Sequence, residues 1–145
     1  MITSFRELVQ RLLGVPSKHD IRPVNRTKFA DGEVGRALRQ QVPNFNQVRR
    51  PPFDAAYWAP SRVEFDEIVR ADLTNRQLYQ TQRYDCEDFA GSFMFDVRRD
   101  YGISTVGVVV DWSAAHAYNI VIFHDQTIGY YDPQDDTYVD PDPES

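Results

Sequence analysis

The chain has 145 residues, 16 basic against 22 acidic, a net charge of −6, and 41% hydrophobic with 13% aromatic side chains. That length and composition predict one domain with a real core, able to bury roughly 68–70% of its unfolded surface. They offer no basic patch beyond Arg49-Arg50 for nucleic acid, no run near the ~18 apolar residues of a membrane span, and only one cysteine, which excludes an intramolecular disulfide and a CxxC zinc site.

Residues 1–13 are too charged, and too short in apolar run, for a signal peptide. The expectation is a soluble protein in a reducing compartment, cytoplasmic by default, without nucleic-acid or membrane partners. Ser4 and Glu7 make a capping-box pattern, and Ile2, Phe5, Leu8, Val9, Leu12 and Leu13 keep helical spacing up to Gly14 and Pro16. A short amphipathic helix over 3–13 follows. Residues 15–60 hold six of the nine prolines and little periodicity, so they predict an ordered wrapping loop with one helix near 32–41. Phe53, Tyr57 and Trp58 make this segment too aromatic for a free linker. Ser61 and Glu64 form a second capping box, opening a helix anchored by Val63 and Ile68.

A third helix starts after Asp85. Phe89, Phe93 and Val97 follow i, i+4, i+8 along it, and Gly102 ends it. The period then changes to two. Strands are expected over 105–111, 116–123 and 127–131, the last two joined by a short turn. Helices first and an antiparallel sheet after is an α+β layout. The whole is one domain, 1–145, with its core at about 61–135 and an acidic tail over 133–145.

The chemistry-bearing residues are Cys86 at the start of the third helix, His116 at the head of a strand and Asp132 at the end of the next. A cysteine attacks as thiolate, and the partial positive charge and free amides of a helix N-terminus favour that form. Glu87 and Asp88 act the other way, because neighbouring carboxylates raise a thiol pKa. Activation therefore falls to His116 as a base, with Asp132 holding the second ring nitrogen. A turn at 124–126 brings 116 and 132 to one end of the sheet. The Cys86 amide and the side chain of Gln80 or Gln82 are the candidate oxyanion donors. Trp58, Trp112 and Tyr118 are the candidate substrate-cleft aromatics.

These residues resemble a known family. Asp85-Cys86-Glu87-Asp88-Phe89-Ala90, then Ala115-His116-Ala117-Tyr118, then Tyr131-Asp132-Pro133 look like the core of the papain-like superfamily in its transglutaminase-like branch. The His-Ala-Tyr-Asn and Asp-Pro-Gln pieces, with Asn119 and Gln134, are also similar to the papain-like domain joined to some fungal agglutinins. The resemblance spans about residues 80–135, with 30 residues from Cys86 to His116 and 16 from His116 to Asp132. It implies a papain-like or transglutaminase-like core and a thiol hydrolase or acyl transferase acting on a peptide or amide substrate. Cys86 would be nucleophile, His116 base and Asp132 orienter, with a thioester intermediate and no cofactor. The Cys-Gly-Ser-Cys-Trp pattern of papain itself is absent.

Each member also has a plain structural reading: a packed cysteine, a satisfied sheet-edge histidine, a strand-ending turn at Asp132-Pro133. The rival to the enzyme is a catalytically silent structural or interaction module on the same fold. A third reading is a cell-wall amidase with the same cysteine-then-histidine order. No metal site is assigned. Asp132, Asp135, Asp136, Asp140 and Asp142 offer oxygens of the kind Ca²⁺ takes, yet lack the turn glycine and closing Glu of an EF-hand, and read as a solvated tail.

Overall fold

The computed structural model describes Leu12, residues 27–42 and residues 54–140. The helix expected over 3–13 lies outside them, apart from Leu12. The described elements run β1 (Thr27–Ala30), α1 (Asp31–Gln41), β2 (Ala56–Ala59), α2 (Arg62–Ala71), a 3-10 turn (Thr74–Arg76), α3 (Cys86–Tyr101), β3 (Val106–Asp111), β4 (His116–Ile122), β5 (Ile128–Asp132) and β6 (Thr137–Tyr138). β1 pairs with β2, and β3 to β6 form a separate four-stranded sheet in chain order, every pairing antiparallel. Among the described residues the architecture is α+β, with three helices and two small sheets.

Local chemistry sets the helix ends. The Ser61 hydroxyl accepts the Glu64 amide (3.2 Å) and the Glu64 carboxylate accepts the Ser61 amide (2.8 Å), closing the expected capping box of α2. Gly102, at φ 67°, ends α3 in the left-handed region that a side chain would resist. Phase on α2 differs from the expected one. Val63 is exposed, and Phe65, Ile68 and Ala71 form the buried stripe.

The four-stranded sheet separates two apolar clusters. On one face α2 and α3 pack Phe65, Ile68, Phe93 and Val97 against Val121, Phe123 and Tyr131. Phe65 is the hub: its ring meets those of Phe93, Phe123 and Tyr131 edge-on at 5.7–5.9 Å. On the other face Phe29, Val34, Leu38 and Tyr57, from β1, α1 and β2, cover Ile120, Ile122 and Ile128. Alternation along β4 serves both, since odd positions face α3 and even positions face α1.

Two side chains stitch these layers. Gln41 donates to the Gln126 carbonyl (2.6 Å) and accepts the Ile128 amide (3.1 Å), tying α1 to the turn before β5. Asn119, fully buried, donates to the carbonyls of Ala90 (2.9 Å) and Gly107 (3.0 Å). That second link holds the N-terminal half of α3 over the beginning of β4, where the site lies.

Candidate functional site

A tight turn presents Cys86. The Gln80 and Tyr84 amides and carbonyls pair reciprocally at 2.8 Å. Gln82 adopts φ 59°, and its amide donates to the Asp85 carboxylate (3.0 Å). The Asp85 amide donates in turn to the Asp88 carboxylate (3.2 Å), and α3 begins at Cys86. On the sheet, His116 opens β4 and Asp132 closes β5. His116 Nε2 lies 2.6 Å from Asp132 Oδ2. Asp132 is buried, and its other oxygen accepts the Gln134 amide (2.9 Å). The Ala117 amide, one residue beyond His116, lies near enough to the Cys86 sulfur to favour its thiolate form. Sequence-distant His116 and Asp132 therefore meet at one end of the sheet, and Cys86 lies beside the residue that follows His116, bonded through its sulfur to Glu87 and not to the imidazole.

Two influences around Cys86 favour the neutral thiol. Burial pushes the Cys86 thiol above its ordinary range, and its hydrogen bond to the Glu87 carboxylate (3.4 Å) pushes further, while the Ala117 amide pulls back. Glu87 is itself held below the usual carboxylate range, first by its own backbone amide.

Gln80 and Gln82 lie exposed on the turn ahead of α3, where the bonds that shape the turn are backbone ones. Trp58 faces Lys28 across the β1–β2 pair, and its amide donates to Ser104 Oγ (2.9 Å). Trp112 is 88% exposed in the β3–β4 turn, which the Asp111 carboxylate organises by accepting from Ser113 and Ala114. Tyr118 is buried, edge-on to Tyr130 at 5.9 Å. A cleft of about 630 Å³ opens elsewhere, along the first turns of α3, and none of these three aromatics lines it. Thr74, Gln77, Tyr84, Glu87, Ser92 and Phe95 do. One sequence signal for it exists, a glycine at 91 in the interior of an otherwise strong helix.

Several solved chains share this fold, among them two of a fungal lectin. Polyporus squamosus lectin bound to the human-type influenza-binding epitope Neu5Aca2-6Galb1-4GlcNAc matches with a TM-score of 0.62 and 22% identity. The PSL1a–E64 complex, of the same lectin, matches at 0.64 and 20%. Each match covers 77% of this chain and 45% of the lectin chain, so this chain spans less than half the length of those neighbours. No family model and no curated protein matches it.

These neighbours correct the expected family and function. The two neighbours named are lectin chains, not papain-like peptidases, so the expected thiol hydrolase, acyl transferase and peptide substrate are set aside, and of the expected fold the α+β class stands. The physical reason lies in what the motifs encode. A helix start, a strand head and a strand end at that spacing describe a scaffold, and a scaffold of one shape hosts many functions. Among the described residues no group of three or more His, Cys, Asp or Glu is placed to hold a metal ion, and no helix is long and apolar enough to cross a membrane. Asp142, of the acidic tail, lies outside them.

Proposed function

We propose that the chain is a catalytically silent interaction module, folded as one domain around residues 61–135, whose ligand class is glycan and not peptide. The state of Cys86 carries this reading. A nucleophile needs a thiolate at neutral pH, and here burial and an adjacent carboxylate both favour the neutral thiol. The His116–Asp132 pair then acts as a fastener. The imidazole–carboxylate bond joins the head of β4 to the end of β5, while Asn119 seats the start of α3 on the sheet through the Ala90 carbonyl. The likeness to lectin chains supports the choice of glycan.

Alkylation tests it. Iodoacetamide at pH 7 should label Cys86 slowly, and His116→Ala should change the rate less than about threefold, since no imidazole is drawing the thiol proton. Rapid labelling that falls by orders of magnitude in His116→Ala would overturn the silent reading.

A further inference from the structure

We propose that two copies of this chain pair through their β3 strands, antiparallel about a two-fold axis at Val108, joining their sheets into one. The four-stranded sheet has two outer strands. One, β6, is two residues long, and its Tyr138 hydroxyl is tethered to the Asp66 carboxylate of α2 (2.7 Å). So short an edge resists pairing with another chain. The other, β3, has six residues, and the first five, Val106-Gly107-Val108-Val109-Val110, include no charge and no proline. It carries none of the residues with which natural sheets block an open edge.

Hydrogen bonding sets which groups of β3 face outward. The Ile122 amide donates to the Thr105 carbonyl (3.1 Å), so Thr105, Gly107, Val109 and Asp111 turn their backbone groups to β4. Val106, Val108 and Val110 turn theirs away from the sheet, and among the described residues none bonds to those outward groups. Val106 sends its side chain into the core and offers backbone alone. Val108 and Val110 are 38% and 46% exposed, and Trp112, two positions on, is 88% exposed.

The limits of this open stretch select a second copy as its occupant. At one end the Ser104 amide is already taken by the Trp58 carbonyl (2.9 Å). At the other the Asp111 carboxylate folds the chain into the β3–β4 turn, where Trp112 sits. Ser104 and Trp112 lie four residues to either side of Val108, so the stretch is its own complement. With Val108 opposite Val108, and Val106 opposite Val110, every outward amide of one copy meets an outward carbonyl of the other. Sliding the seam to pair Val106 with Val108 runs Val110 onto the occupied Ser104 amide, and pairing Val108 with Val110 runs Val106 into the turn. Asp111 comes opposite Thr105 of the second copy, not opposite itself, so no like charges meet. The same register carries Trp112 to the second copy's Ser104, where Trp58, 40% exposed, is anchored, and brings two indoles together at each end of the seam. Each copy uses up its one long open edge, so the assembly closes at two.

Sedimentation equilibrium of the full chain tests this. The parent should dimerise with a dissociation constant on the order of 10 µM or tighter. Amide hydrogen exchange at Val108 and Val110 should slow as the concentration rises. Val108→Lys sets two ammonium groups against each other across the axis and should weaken association roughly tenfold or more, and Val108→Glu should do the same with two carboxylates. An equimolar mixture of the two variants should dimerise again, because only the mixed pair sets Lys against Glu. Val108→Pro removes an amide that β4 does not use, so it should keep the parent's circular dichroism and stay monomeric. A parent that is monomeric throughout leaves β3 to a strand of some other protein and overturns the proposal. So do Lys and Glu variants that associate like the parent, and a mixture no more dimeric than either variant alone. Self-association with Val108 and Val110 amides still exchanging freely places the contact on another face and overturns it as well.

Discussion

At Cys86 two influences oppose each other. The start of α3 and the Ala117 amide favour sulfur as an anion, while burial and the Glu87 carboxylate favour it protonated. The second pair prevails, so less thiolate exists at neutral pH and alkylation should accelerate with a midpoint above the ordinary free-thiol value of about 8.5. Glu87→Gln removes one of the two raising influences. Its rate-against-pH curve should move to lower pH, and superposable curves would show that Glu87 has no hold on the sulfur. Part of this was legible in the residues themselves: Glu87 beside Cys86 announces a like-charge neighbour. The pairing of His116 with Asp132 was legible too, from hairpin arithmetic. The Ala117 amide was not, because it depends on how closely α3 approaches β4, a distance that no local pattern encodes.

Among the elements, caps and stops carried the clearest information. Ser61 with Glu64, Asp85 with Asp88, and Gly102 mark helix ends through side-chain and backbone chemistry confined to a few residues, and the observed helices begin and end there. Ser61→Ala should cost about 1 kcal/mol of stability by loss of the amide acceptor. Gly102→Ala should cost roughly 1–2 kcal/mol by forcing a Cβ into the left-handed region. Urea denaturation of each variant measures both, and a Gly102→Ala protein as stable as the parent would mean that α3 ends some other way. The strand pair β1–β2 escaped sequence reading. Each strand has only four residues, they lie in the proline-rich segment, and Thr27 finds Ala59 across most of that segment. Register over such a separation is decided by the apolar cluster the pair covers, not by its own periodicity.

Over the whole molecule, burial divides unequally across the sheet. Phe65 is central to the larger cluster, touching three other rings, and Phe65→Ala should cost about 3–5 kcal/mol, enough to leave a marginal domain partly unfolded at room temperature. A loss below about 1 kcal/mol in chemical denaturation would show that the site collapses to fill the void. The α+β class was readable from the order of periods along the chain. The cluster beyond the sheet was not, because two four-residue strands in the proline-rich segment must join α1 to cover the even positions of β4 and β5. The dividing sheet also has a kinetic consequence. Two dry compartments that share a single wall need not melt together: the smaller, roofed by an 11-residue helix and two short strands and latched through Gln41, is the natural first breach. Heat would strip that roof while Phe65 and its neighbours stay closed, giving this small protein a staged melt and, between the stages, a bare β4–β5 surface exposed to self-association.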